Sequence, residues 1–416
     1  MLLADGKERM SVTASDRLLN VQGATREAYT RLRLSLTRLY KQWRWALLPL
    51  TIALGVRAIV FVFTQVALRL VAPNSEHGIF KIWKVYDANW YFDIVQNGYS
   101  YSSHAASDVA FFPLYPILVW LGDHALEPIL GSSALIVSAL AISWLSFAAA
   151  TVLLYRLTFD RFGRQTALLT VVLLSTFPFG VFFGAPYTES LYLFLAVAAF
   201  YAIERRMWWL AGVAALFAGA VRPPGALVGV CVVLAYALDW FTTRHSLRRD
   251  ILSLALTPLG LFAYLFYCQV RFGDALIYVL AVKQGWHRGS VSLGGVRLLV
   301  DLLIHPKVWF VSGDTDTIIW TLYAFVVVAS LVAVVFIYRE IGPVYAFFTL
   351  ASVAIPLLTT DTPISLGRYV SVVFPCFMAL ALHLRRHPAL RELVVTGFSC
   401  LLVISAILFV QSRGIY

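Results

Sequence analysis

Asp87 is the side chain best placed to do chemistry. It sits in the run VYDANWYFDIVQNGY (85–99), with aromatic residues on either side. Read as a helix over residues 80–95, the segment puts Trp83, Asp87, Trp90, Tyr91 and Ile94 on one face, at i, i+4, i+7, i+8 and i+11. A carboxylate on such a face is costly to hold unless it is paired or used. Used, it can act as a general base that takes the proton of an acceptor hydroxyl as that oxygen attacks carbon. Paired, it would be a surface acid bound to Lys84 or Lys81. Asp93, near the opposite side of the same helix, faces water on this reading.

Further polar groups fall at the ends of apolar runs. Glu189 opens one in PYTESLYLF (186–194), where a first-turn acid also suits the positive end of the helix dipole. Arg222 lies in GAVRPPG and Arg368 in ISLGRYV. An arginine at the mouth of a bundle can grip a phosphate with two parallel hydrogen bonds, or it can snorkel to lipid headgroups. Lys283, Gln284, Trp286, His287 and Arg288 cluster further on and form a candidate ligand surface. Arg57, deep in the first apolar run, needs a partner that the sequence does not name.

The elements that must hold these residues are membrane spans. Of 416 residues, 60% are hydrophobic and 13% charged, with mean hydropathy +0.78. Both fractions lie well outside the soluble globular range. Apolar runs long enough to cross a hydrocarbon core of about 30 Å recur from residue 46 onward. They place spans at roughly 46–71, 131–156, 165–184, 188–204, 208–221, 224–240, 251–269, 317–338, 342–358, 368–384 and 393–411, about 11 in all. The expected fold is all-α and polytopic. Residues 1–45 form a basic N-terminal segment, in which Leu32, Leu36, Leu39 and Trp43 at helical spacing suggest an amphipathic helix over 26–44, a solvated tail being the alternative. Residues 46–416 form a single transmembrane domain.

Charge sets the expected orientation. Nine of the 33 Lys and Arg lie in the first 45 residues. A cytoplasmic amino terminus puts Arg156/Arg161/Arg164, Arg205/Arg206, Arg244/Arg248/Arg249, Arg339 and Arg385/Arg386/Arg391 on the same side, as the positive-inside rule requires. The net charge of +11 then reflects topology and anionic lipid, and no nucleic-acid partner is expected. Two external segments, 72–130 and 270–316, are too long to be simple turns. The run FFPLYPILVWL (111–121) is too short to span and reads as a second interfacial helix beside the one carrying Asp87. Cys231, Cys268, Cys376 and Cys400 fall inside predicted spans without metal-like spacing. The sequence has no P-loop, dinucleotide fingerprint or H-E-x-x-H, and no cytoplasmic nucleotide-sugar domain, so a sugar donor would have to be lipid-borne.

VYDANWYFDIVQNGY followed by AFFPLYP (110–116) resembles the first luminal loop of the PIG-V-type mannosyltransferases. FPFGVFFGAPYTESLYLF (177–194), VRPPG (221–225) and GRYV (367–370) resemble three later blocks of that family, in order. Tyr86 stands where the family has Trp before the Asp, and Pro223–Pro224 replace polar residues after the Arg. The resemblance implies a GT-C fold of the prokaryotic branch and a polyprenyl-phosphate-mannose donor. It implies inverting transfer to an extracytoplasmic glycolipid, polysaccharide or protein acceptor, with Asp87 as the essential carboxylate. Glu189, Arg222 and Arg368 would line or brace the cavity, and no cofactor or metal is expected. Two other readings are a transporter or lipid flippase, to which Arg57 and the short spans around Arg222 would belong, and a non-catalytic scaffold subunit.

Overall fold

A computed structural model describes residues 44–70, 78–103, 105–243, 249–286, 291–305, 315–360 and 365–412, with Tyr29 and Arg33 upstream. The rest of the expected N-terminal segment lies outside the described residues. The chain divides into two compact units, 1–48 and 49–416. The second carries every candidate site residue.

Among the described residues there is no strand. The helices are α1 (Arg44–Leu70), α2 (Asp87–Asn97), α3 (Leu114–Leu130), α4 (Ala134–Thr176), α5 (Glu189–Glu204), α6 (Trp208–Val221), α7 (Gly225–Thr243), α8 (Leu259–Phe272), α9 (Ile277–Trp286), α10 (Gly294–Ile304), α11 (Thr315–Glu340), α12 (Pro343–Leu358), α13 (Leu366–Ser371), α14 (Phe374–Leu384) and α15 (Pro388–Val410). Five described stretches are long and apolar enough to cross a membrane: Arg44–Leu70, Leu114–Thr176, Gly225–Thr243, Ile318–Glu340 and Pro388–Val410. A sixth is the pair Arg249–Leu256 and α8, bent by 42°. The protein is a multi-pass membrane protein, and large apolar side chains such as Phe63, Leu145, Phe266, Val332 and Leu393 point outward, as lipid-facing positions do.

At the centre, α4 packs on α5, α5 on α6, α6 on α7, and α14 across α4. Small residues allow these close approaches. Ala196, Ala199 and Ala202 of α5 and Ala211, Ala214, Ala215 and Ala218 of α6 are buried. Gly225 starts α7 directly against the Ala218 carbonyl, where any Cβ would collide.

The structure redraws several of the predicted runs. α4 takes in the run predicted at 131–156 and most of the one at 165–184, and between them it breaks at Gly163, whose φ of +80° a side-chain-bearing residue rarely adopts. The predicted span 368–384 is divided into α13 and α14, with Pro375 in the first turn of the second, a position that tolerates its missing N–H. The interfacial helix predicted at 111–121 begins later and runs further, as α3, because Pro113 disfavours helical geometry upstream.

The helix predicted over 80–95 is also redrawn. Lys81–Trp83 is a short 3-10 turn, and α2 begins only at Asp87. Tyr86 intervenes with φ +50°, which breaks helical continuity. Trp83 therefore leaves the face shared with Asp87 and is buried, stacked on Phe61 at 5.8 Å between ring centroids.

α5 sets the polarity of the bundle. Glu189 and Glu204 are its first and last residues, about 22 Å apart along the axis. At the Glu204 end, Arg161 bonds Glu204 at 2.6 Å, Arg205 bonds Asp160 at 2.6 Å, and Arg206 bonds Asp239 at 2.6 Å. These are the arginines that the charge rule assigns to one side of the membrane. The opposite end holds the candidate site.

Candidate active site

Four charged side chains from four separate elements converge at the Glu189 end. Asp87 is the first residue of α2 and Glu189 the first of α5, where a carboxylate also meets the positive end of the helix dipole. Arg222 follows the last residue of α6 in extended geometry, and Arg368 lies within α13. Glu189 Oε1 accepts from Arg222 Nη1 at 2.7 Å and from Arg368 Nε. Arg368 Nη1 also donates to Asp87 Oδ2. The result is a chain of alternating charge, Arg222–Glu189–Arg368–Asp87, with two cations and two anions.

Burial differs sharply along that chain. Glu189 is fully buried, the Arg222 and Arg368 side chains are 9% exposed, and the Asp87 side chain is 21% exposed. Asp87 thus has one oxygen anchored and retains access to solvent. The arginines are further held by aromatic faces: Arg368 lies 4.7 Å from the Tyr187 ring centroid, and Arg222 lies 5.6 Å from Tyr192 and 5.4 Å from Tyr369. Neither guanidinium snorkels. Lys84, one of the two lysines considered as partners for Asp87, is exposed and lies over Phe92 instead.

The local backbone is shaped for this convergence. Two of the non-glycine residues with positive φ immediately precede the relevant helices, Tyr86 before α2 and Ser365 before α13. Such residues cost about 1–3 kcal/mol each and persist where surrounding structure over-determines them. Tyr187 does so at Tyr86: its hydroxyl donates to the Val85 carbonyl and accepts from the Asp87 N–H, both at 3.2 Å. Beside Arg368, Gly367 is so closely packed that a Cβ there would lie 2.7 Å from the Phe179 ring and closer still to Tyr323.

The other candidate residues divide between two surroundings. Tyr91 is buried, and its hydroxyl donates to Thr188 Oγ1 at 3.4 Å, while burial pushes its phenol up from the ordinary value. Trp90 is half-buried, stacked on Phe111 at 5.9 Å and edge-on to Trp286 at 5.9 Å. The second long loop is therefore packed against the first. Tyr101 and Gln284 approach at 3.4 Å, and Gly285 sits against Ala106. Lys283 and Gln284 are exposed on α9, and His287 and Arg288 lie outside the described residues. The structure thus joins Asp87, Glu189, Arg222 and Arg368, but leaves Lys283 and Gln284 at the surface.

Three residues that sequence reasoning missed matter here. Tyr187 touches both Asp87 and Arg368. Asp108, fully buried, accepts from the Ser100 N–H at 2.8 Å and from its hydroxyl at 2.8 Å, pinning the segment that follows α2. Burial raises its carboxyl above the ordinary range. Gly367 admits Arg368. Arg57, which lacked a partner in the sequence, donates to the carbonyls of Ser175 and Gly180 and lies 5.2 Å from the Phe147 ring centroid. Those acceptors include one of the unpaired carbonyls at the end of α4.

An apolar cavity of about 640 Å³ opens beside the far half of α2, lined by Ile94, Tyr99, Trp120, Phe217, Tyr264 and Tyr267 among others. Its nearest α2 residue is seven positions, or about 10 Å, from Asp87 along the helix.

Residues 65–268 match the family described as mannosyltransferase (PIG-V). This stretch of the chain carries the PIG-V mannosyltransferase pattern. It contains Asp87, Glu189 and Arg222, and Arg368 joins them from beyond it. GPI alpha-1,6-mannosyltransferase 2 of Mus musculus is 29% identical over 201 residues, 44% of this chain and 40% of that protein. Its Cricetulus griseus counterpart is 30% identical over 203 residues, 44% and 40%. The chain thus aligns with about two fifths of the length of these curated relatives. The fold is similar to ArnT from Cupriavidus metallidurans, with TM-score 0.52, 13% identity, and coverage of 83% of this chain and 60% of that one. The architecture is of the GT-C type, all-helical and polytopic among the described residues.

Proposed function

We propose that this chain is a glycosyltransferase that moves a mannosyl residue from a polyprenyl-phosphate donor to the hydroxyl of an extracytoplasmic acceptor, with inversion. The observation that carries the proposal is the state of Asp87: one carboxylate oxygen held by Arg368, the side chain still in reach of solvent, and the whole set at the mouth of a membrane bundle. In this reaction Asp87 takes the proton of the acceptor hydroxyl. The freed oxygen bonds to the anomeric carbon from the face opposite the phosphate. The bond from that carbon to the phosphate oxygen breaks, and the polyprenyl phosphate leaves as a dianion. Arg368 and Arg222 balance the charge that develops on it, and the scheme calls on no divalent ion or cofactor. The apolar cavity beside α2 suits a lipid chain whose head reaches Asp87. ArnT, whose fold is similar, was solved bound to undecaprenyl phosphate, a lipid phosphate of the class assigned here.

The amino terminus is cytoplasmic on this reading, which puts the arginine-rich Glu204 end inside and Asp87 outside. The acceptor is a glycolipid, polysaccharide or protein. Trp90 and Tyr91 shape the acceptor side, and Lys283, Gln284, His287 and Arg288 belong to its outer rim. The transporter alternative drew on Arg57 and on the short spans around Arg222. Both arginines now have structural partners, so no observation favours it.

The test is turnover by purified protein given polyprenyl-phosphate-mannose and a membrane acceptor fraction. Asp87→Asn should lower transfer by about 10²–10⁴-fold while the protein stays folded and membrane-inserted. Near-normal turnover in that variant would remove Asp87 from the mechanism.

A further inference from the structure

The charges at this site are already balanced without substrate. Among the described residues, both guanidinium groups are taken: Arg222 by Glu189, and Arg368 by Glu189 and Asp87. The phosphodiester monoanion of the donor, like the monoester dianion it becomes on transfer, finds no free cation in this set, so one carboxylate must give way. Glu189 is fully buried, receives both arginines on a single oxygen, and opens α5 in the bundle core. Asp87 is the opposite case. It is the most exposed of the four, it contributes one oxygen to one arginine, and it follows a turn held in unfavourable geometry at Tyr86.

We propose that the lipid phosphate and the Asp87 carboxylate compete for the same face of Arg368. Binding of the donor then displaces Asp87 from the guanidinium and frees its carboxylate for the acceptor proton. This rests on the lipid-phosphate reading above and adds an order to it, in which the donor binds first and arms the base. Before that, Asp87 is occupied with Arg368, and a bound acceptor meets no free base. It also makes Asp87 an obstacle to donor binding, although the reaction requires it.

The experiment is equilibrium binding of undecaprenyl phosphate to the full-length protein in detergent, with phosphatidylglycerol and inorganic phosphate as separate probes. Asp87→Asn removes the competing charge but keeps the shape, so it should bind undecaprenyl phosphate about ten- to a hundredfold tighter than wild type, the worth of one charge-assisted hydrogen bond. Arg368→Lys, which keeps the charge without the fork, should bind it more weakly; its folding is checked by size-exclusion profile and melting temperature. Unchanged or weaker binding by Asp87→Asn, with wild type still binding, overturns the competition and leaves the transferase reading standing. A gain of the same size for phosphatidylglycerol or inorganic phosphate also overturns it, because the site would then be a general anion site. If wild type and Asp87→Asn both fail to bind undecaprenyl phosphate, the lipid-phosphate reading fails and this inference with it.

Discussion

Glu189→Gln is the most informative single change, because the molecule contains its own control. Among the described residues, two carboxylates each bridge two arginines. Glu189 bridges Arg222 and Arg368 and is fully buried. Asp160 bridges Arg156 and Arg205, and its side chain is 31% exposed. Each carboxylate has two arginine partners, Glu189 on one oxygen and Asp160 on both, and the surroundings differ. Gln keeps the shape and an accepting carbonyl oxygen at position 189, so the perturbation is almost purely one of charge. It leaves two buried guanidinium groups with only Asp87 to balance them. Removing one partner of a buried pair costs about 3–5 kcal/mol. Asp87 still serves Arg368, and aromatic rings flank Arg222, so the lower end, about 3 kcal/mol, is expected. Asp160→Asn should cost about 0–1 kcal/mol, because exposed pairs are screened by water. Both are read by unfolding in mixed micelles of increasing SDS, followed by tryptophan fluorescence. A third variant, Glu189→Gln with Arg222→Met, removes the stranded cation and should recover part of the loss. Equal costs for the Glu189 and Asp160 variants, or a double variant that simply adds the two losses, would refute the view that burial gives the network its strength.

Two further outcomes follow from particular contacts. Gly367→Ala drives a methyl group into the Phe179 and Tyr323 rings, and overpacking of this kind costs about 1–3 kcal/mol. Because Arg368 is the next residue, turnover should fall more than stability does, and a variant with wild-type kcat would show that Gly367 does not position it. Asp108 gives a pH prediction. Burial raises its carboxyl, so stability tied to this group is complete below the unfolded carboxylate pKa of about 4 and falls as pH rises through the raised value. Asp108→Asn removes that loss. Its melting temperature relative to wild type should climb between about pH 4 and neutrality, and a gap that narrows over that window would contradict it.

Individual residues were more legible in the sequence than their assembly. Asp87 stood out as a carboxylate on an aromatic helix face, and Glu189, Arg222 and Arg368 as charged groups at the ends of apolar runs, each expensive unless it has a task. That Arg368 meets Asp87 across 281 positions and Glu189 across 179 is a property of packing, which periodicity does not encode. Tyr187 carried no signal, since an aromatic residue in a loop follows no repeat. The partners of Arg57 are backbone carbonyls, which every residue possesses, so no side chain advertised them. Membrane-spanning helices were visible as a class because about 20 apolar residues leave few alternatives, although five described stretches, or six with the bent pair, stand against the roughly 11 spans expected. The break before Asp87 was not, because Tyr86 is held at positive φ by a hydroxyl 101 positions later in the chain, through a contact made only once α2 and α5 are packed.

On the proposed reading, the difference in burial between the two carboxylates also favours Asp87 over Glu189 as the one available for chemistry. A buried Glu189 bonded by both arginines cannot reach a substrate without taking two cations with it, and doing so would disrupt the end of the bundle. Its contribution is to hold Arg222 and Arg368 in place where neither could stand unpaired. Asp87 has the opposite constraints: a single bond, a side chain at the edge of solvent, and a backbone fixed by Tyr187 so that only the side chain needs to move. A proton acceptor on the proposed reading is served by this arrangement, in which the backbone frame is pinned and the carboxylate has a single partner. The same frame explains why a helix starts at Asp87. Were α2 to continue through residue 86, the Tyr187 hydroxyl would lose its bridge between Val85 and Asp87.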